Sequence, residues 1–165
     1  MGRWKPPPPA SSPYITRAGY EKLQQELKEI WLRRRDVVKA LAAAAAEGDR
    51  SENAEYIYRK KELGGIDYRI RYLQKRLPKL TIVDETQTAS QNKVFFGAWV
   101  LLEKDDGSQV EYRVVGPDET DSASNSISMD SPLAKALLRK TIDDEVQITV
   151  AENTEVFLVA GIRYK

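Results

Sequence analysis

Two carboxylates, Asp49 and Glu52, stand three residues apart in the stretch Glu47-Gly48-Asp49-Arg50-Ser51-Glu52-Asn53-Ala54-Glu55-Tyr56. Hard oxygen ligands of this kind suit Mg²⁺, which takes one or two carboxylates and completes its shell from water and phosphate. Two carboxylates are too few to hold the ion alone, so the pair would have to complete a site that another molecule supplies. The same spacing also fits a helix start. Asp is a good N-cap, and a Glu three residues later makes a capping box. Acids there also complement the helix dipole. On pattern alone capping is the stronger reading. The chain has no Cys and no His. Disulfides, Cys/His zinc sites and catalysis through either side chain are therefore excluded.

Two further groups could do chemistry. Arg59, Lys60, Lys61, Arg69, Arg71, Lys75 and Arg76 crowd one predicted helix. They are either a solvated face balancing nearby acids or a surface for a polyanion. Tyr56 and Tyr58 lie close by and could stack on a base, although Tyr56 fits a packing seam better. Asp130-Ser131-Pro132 reads as a helix start, with Ser131 as N-cap and Pro132 at the first helical position.

The elements that must position these residues follow from periodicity. Tyr20, Leu23, Leu27, Ile30, Val37 and Leu41 fall on a heptad seam, with Arg34 at the skipped position. The seam predicts a helix over Thr16–Ala46, which Gly48 ends. Tyr56, Arg59, Leu63, Ile66, Ile70, Leu73 and Leu77 form a second seam and predict a helix over Glu52–Leu77, stopped by Pro78. Two seams joined by a few residues must pair antiparallel, as a hairpin roughly 40 Å long. Gly64-Gly65 inside the second helix should cost about 1 kcal/mol per glycine, and marks a bend or a close helix contact.

The second half changes period. Val94–Leu102, Val110–Val115, Ile127–Met129, Glu145–Val150 and Glu155–Arg163 read as strands. Asp105-Asp106-Gly107 is a hairpin turn, and Leu133–Lys140 is a short helix. Charge divides with the pattern. Residues 1–78 hold 17 basic and 10 acidic side chains (+7), and residues 79–165 hold 9 and 15 (−6). The expected fold is α+β: an N-terminal antiparallel coiled-coil hairpin, then an antiparallel sheet with a short helix. The expected divisions are a Pro-rich disordered tail over 1–13, the hairpin over 14–78 and the sheet domain over 79–165. No apolar run approaches the roughly 20 residues of a membrane span. The first residues lack the apolar core of a secretory signal.

The segments YITRAGYEKLQQELKEIW (14–31), GDRSENAEYIYRKKEL (48–63), IDYRIRYLQKRL (66–77), KVFFGAWVLLEKDDG (93–107) and SISMDSPLAKALLRK (126–140) resemble the GreA/GreB family of bacterial transcript cleavage factors, and its GreB branch most. The resemblance runs in order from about Tyr14 to Tyr164, and the tip sequence GDRSENAEY is its most specific part. It implies a hairpin followed by a domain similar to FKBP prolyl isomerases, with no isomerase activity implied. It implies an accessory factor and not an enzyme. The second domain would dock on the rim of the RNA polymerase secondary channel, with Asp130, Ser131 and Pro132 on the docking side. The hairpin would enter the channel. Asp49 and Glu52 would then help hold Mg²⁺ jointly with the polymerase, so that backtracked RNA is cleaved. Arg59, Lys60, Lys61 and Arg69 would contact the nascent RNA 3′ segment. The isolated chain would bind no metal, and no membrane or small-molecule substrate is implied. The place of action would be the cytoplasm. The Pro-rich tail, Gly64-Gly65 and Ala151-Glu152-Asn153-Thr154 depart from the family pattern. A channel-entering paralogue that regulates without cleaving, and a plain coiled-coil adaptor, are the competing functions.

Overall fold

The computed structural model describes residues 10–47, 53–84 and 92–164. It divides into two compact units: Ala18–Leu80, and the residues up to Arg17 together with those from Thr81 onward.

The first unit is the helical hairpin. Helix α1 spans Arg17–Ala45 and α2 spans Ala54–Arg76. The 29 residues of α1 make it about 43 Å long at 1.5 Å per residue. A 3₁₀ turn, Leu77–Lys79, follows α2 with Pro78 inside it. The heptad seams face each other. Val37, Ile66 and Ile70 are buried together, with Leu27, Ile30 and Leu63 packed around them. The cross-contacts run in opposite order along the two helices: Ala44 meets Asn53, Arg33 meets Glu62, and Glu26 meets Arg69. The pair is therefore antiparallel. Gly64 and Gly65 lie within unbroken helix, exposed, with nothing within 4 Å of where a Cβ would stand. A close helix contact, one of the two expected reasons for this pair, is thus excluded.

The second unit is a five-stranded sheet with a short helix. Strands β3 (Trp99–Lys104), β4 (Gln109–Val115), β5 (Ser126–Ser128), β6 (Glu145–Val150) and β7 (Asn153–Arg163) are ordered β5-β4-β3-β7-β6. The sheet is mixed, because β4 and β5 run parallel where an antiparallel sheet is expected. The cause lies in residues 116–125. A 3₁₀ turn at Pro117–Glu119 and the Asp121–Ser126 bridge reverse the chain before β5 begins. The remaining pairs are antiparallel. Helix α3, Pro132–Leu137, places Ala134 and Leu137 against Val100, Leu102, Val114, Val146 and Val159.

Several boundaries differ from periodicity. Strand β3 starts at Trp99, not Val94, since Gly97 turns at φ 88° and Val94 bonds to Lys140 instead of a strand. Helix α3 stops at Leu137 because Arg139 adopts φ 70°. The hairpin domain was expected from Tyr14. Instead β1 (Tyr14–Ile15) pairs in parallel with β2 (Thr81–Ile82), and Ile15 is fully buried. Backbone bonds from Thr81 to Pro13 (2.7 Å) and from Val83 to Ile15 (2.9 Å) complete that attachment. On the sheet's outer face Trp99 lies between Arg113 and Arg163. Arg163 donates to both oxygens of Glu111, which holds that carboxyl below its ordinary range.

Candidate functional site

Asp49 and Glu52 lie outside the described residues, as does the predicted helix stop Gly48. The residues on either side bear on what the pair does. Helix α2 begins at Ala54, and its N-cap is Asn53, in the extended conformation. The Asn53 Oδ1 accepts from the Tyr56 backbone N–H at 3.0 Å. Its Nδ2 donates to the Ala44 carbonyl at 2.7 Å. One side chain thus satisfies an orphan donor at the start of α2 and gives the Ala44 carbonyl, which also accepts from Glu47 N–H, a second bond at the end of α1. The capping work that the sequence pattern offers to Asp49 is done by Asn53. Sequence reasoning missed this residue. The signal was present, since Asn ranks with Asp as a cap, but the 49/52 spacing matched a capping box and Asn53 did not.

The expected RNA-contacting group divides in two. Arg59 donates to Glu55 at 2.8 Å and to Glu62 at 3.2 Å, and the bond to Glu55 raises the guanidinium pKa above its ordinary value. Arg69 donates to both oxygens of Glu26 on α1, at 2.8 and 2.9 Å. Both arginines are therefore partly neutralised, and Arg69 ties the two helices together. Lys60 and Lys61 are exposed, as are Arg71 and Lys75. Among the described residues these four make no ion pair. Steps of three and four residues from Lys60 and Lys61 through Gly64, Tyr68 and Arg71 to Lys75 put them on one outer stripe of α2. Tyr68 is 69% exposed on that stripe. Tyr56 is half-buried, in keeping with the seam, while Tyr58 is exposed and lies 5.5 Å from the Arg59 guanidinium carbon.

The Asp130-Ser131-Pro132 turn follows β5. The Ser131 Oγ accepts from Ala134 N–H at 3.2 Å and caps α3, with Pro132 exposed at the first helical position. The Asp130 N–H donates to Ser128 Oγ at 3.0 Å. The Asp130 carboxylate accepts from the Ser12 backbone N–H at 2.8 Å and from the Ser12 hydroxyl. Beside the turn is an open groove bordered by Tyr112, Asp121, Ser122, Ser128 and Ser131.

No group of three or more carboxylates that could hold a metal occurs among the described residues, and no described helix is long and apolar enough to cross a membrane. The geometry agrees with sequence comparison. The family model for the N-terminal domain of the transcription elongation factors matches residues 13–82, and the model for the GreA/GreB C-terminal domain matches residues 89–164. The chain is 54% identical to transcription elongation factor GreB of Xanthomonas axonopodis pv. citri over 99% of this chain and 98% of that protein. It is 51% identical to GreB of Pseudomonas aeruginosa, again over 99% and 98%. A solved structure of Thermus aquaticus Gfh1 aligns with a TM-score of 0.43 at 28% identity, covering 93% of this chain and 99% of that one. A seam-paired hairpin joined to a small mixed sheet, matched by both domain models in order, leaves one assignment: the chain belongs to the GreA/GreB family of transcription elongation factors.

Proposed function

We propose that the chain is an accessory factor that stimulates the RNA cleavage activity of RNA polymerase. In this reading the hairpin enters the secondary channel, and Asp49 and Glu52 reach the polymerase active site. One observation carries the reading. Helix α2 has Asn53 as its N-cap, so neither carboxylate occupies the cap position. The main competing role for the pair is thereby filled by another residue.

Asp49 and Glu52 are of the donor type that Mg²⁺ prefers, and two of them complete a partly built site better than they build one. When bound there, the ion would stabilise charge on the attacking and leaving oxygens of phosphodiester hydrolysis. The chain's own part is to bring the two carboxylates. It would also guide the extruded RNA 3′ segment along Lys60, Lys61, Arg71 and Lys75, a contact that weakens with salt as counterion release requires. Asp130-Ser131-Pro132 and the adjoining groove would face the channel rim. The place of action is the cytoplasm.

The test is the rate of RNA cleavage in a backtracked elongation complex, measured against Mg²⁺ concentration. Asn caps as well as Asp, and Gln replaces Glu in a capping box, so Asp49→Asn and Glu52→Gln should leave the fold intact. Losing a direct ligand should cost at least about 100-fold in rate, more than the usual cost of losing an outer partner. Added Mg²⁺ should recover part of it. Folded Asp49→Asn protein that cleaves at a near-normal rate would sink the reading. Inhibition by the unmodified chain would instead support the regulatory paralogue.

A further inference from the structure

The Asp130 carboxylate is already engaged within the chain. Ser12, 118 residues away, gives its backbone N–H to one oxygen and its hydroxyl to the other. The segment that carries Ser12 is firmly built into the sheet unit. Pro13 and Ile15 accept backbone bonds from Thr81 and Val83. Thr16 gives its N–H to Glu119 Oε2 at 2.8 Å and its hydroxyl to Oε1. The same Glu119 oxygen, Oε2, also accepts from Gly116 N–H at 3.0 Å. Gly116 lies so close beneath the segment that a Cβ there would stand 1.9 Å from the Tyr14 carbonyl oxygen. Residues 12–16 therefore form a strap held at both ends by carboxylates, Asp130 at one and Glu119 at the other.

This arrangement changes what Asp130 can do. A carboxylate that accepts a charge-assisted bond on each oxygen is fixed in orientation, and each oxygen keeps a lone pair for a further donor. The next residue, Ser131, spends its hydroxyl on the α3 cap. Pro132 is left exposed at the corner. We propose that Ser12 is a positioning residue for polymerase docking. By holding both oxygens of Asp130 it fixes the turn that presents Asp130, Pro132 and the groove edge. The proposal rests on the docking role given above to residues 130–132.

The full-length chain is titrated into a backtracked elongation complex. The half-saturating concentration and the rate at saturation are read separately. Ser12→Ala removes one bond to a charged acceptor and should raise the half-saturating concentration about ten-fold, with the saturated rate unchanged. Ser12→Thr keeps the hydroxyl and should restore wild-type affinity. Asp130→Ala combined with Ser12→Ala should bind no more weakly than Asp130→Ala alone. Thermal melts control for folding, and Asp130→Asn replaces Asp130→Ala should the latter not fold. Wild-type affinity in Ser12→Ala alongside weak binding in Asp130→Ala would overturn the proposal and leave docking by direct contact. Wild-type affinity in Asp130→Ala and Pro132→Ala alike would remove the docking role itself, and the proposal with it. A fall in the saturated rate of Ser12→Ala would also overturn it, because a pure docking effect spares that rate.

Discussion

The hairpin buries a single seam: Leu23, Val37, Ile66, Ile70 and Leu73, with Leu27, Ile30 and Leu63 packed around Val37, Ile66 and Ile70. The sheet unit buries ten apolar side chains in one cluster, among them Leu102, Val100, Val114, Leu137 and Val159 at 0% exposure. The hairpin adds ion pairs along its flanks. Arg33–Glu62, Arg34–Asp67 and Arg69–Glu26 cross between the helices. Such partly exposed pairs contribute little each, typically under about 1 kcal/mol. The order of the hairpin thus depends on one repeating seam with a few partly exposed pairs, while the order of the sheet unit depends on a larger shared core. Each proposed functional group follows its surroundings. One asparagine links the start of α2 to the end of α1, and the docking turn bonds to a strap more than a hundred residues away.

The largest effect that tests this contrast is a core truncation. Leu102→Ala should destabilise the sheet unit by about 2–5 kcal/mol. Val37→Ala should cost the hairpin only about 1–2 kcal/mol, since fewer apolar atoms leave a thinner core. A chain of two units need not unfold in one step. Hydrogen exchange in β3 and in α2 is therefore the measurement. Equal costs at the two sites would break the contrast and show that the seam packs as densely as the sheet.

A smaller effect is expected at Asn53. Asn53→Ala removes both of its bonds and should cost about 0.5–2 kcal/mol, with faster exchange in the first turn of α2. Asn53→Asp keeps the acceptor for Tyr56 and loses the donor to Ala44. If the link to α1 matters to the tip, stability should return in the aspartate variant while cleavage does not. Full recovery of cleavage would reduce Asn53 to a plain cap.

The sequence made the hairpin legible because a heptad seam is a local repeat. Leu23, Val37, Ile66, Ile70 and Leu73 all lie on the predicted seams and all are buried. It made the α3 start legible because Ser131-Pro132 is a local signal, and the structure places both as expected. The parallel β4–β5 pairing and the Ser12–Asp130 bond were not legible. The first depends on how residues 116–125 fold back and the second on two segments 118 residues apart that meet, and no spacing along the chain encodes either. Val94–Ala98 misled for another reason. Its run is apolar because it is buried, and burial in a loop looks the same as burial in a strand. For Arg59 and Arg69, composition showed a cluster of cations but could not show which acids already face them.

The smallest effect bears on Gly64 and Gly65, and it is the most direct test of whether the hairpin's thin stability has a use. Both residues sit in α-helical backbone with open space where a Cβ would go. Alanine therefore meets no atom and no backbone strain. It should stabilise the helix by about 1 kcal/mol at each site, chiefly by removing freedom from the unfolded chain. Exchange of the α2 amides around residues 60–70 should slow in Gly64→Ala, in Gly65→Ala and further in the pair. Slower exchange with unchanged cleavage would mark the glycines as tolerated weak points. Slower exchange with reduced cleavage would mean that the hairpin must yield at this place in order to work, and that its sparse seam serves function. Faster exchange would contradict the open surroundings seen at both positions, because only a lost contact could produce it.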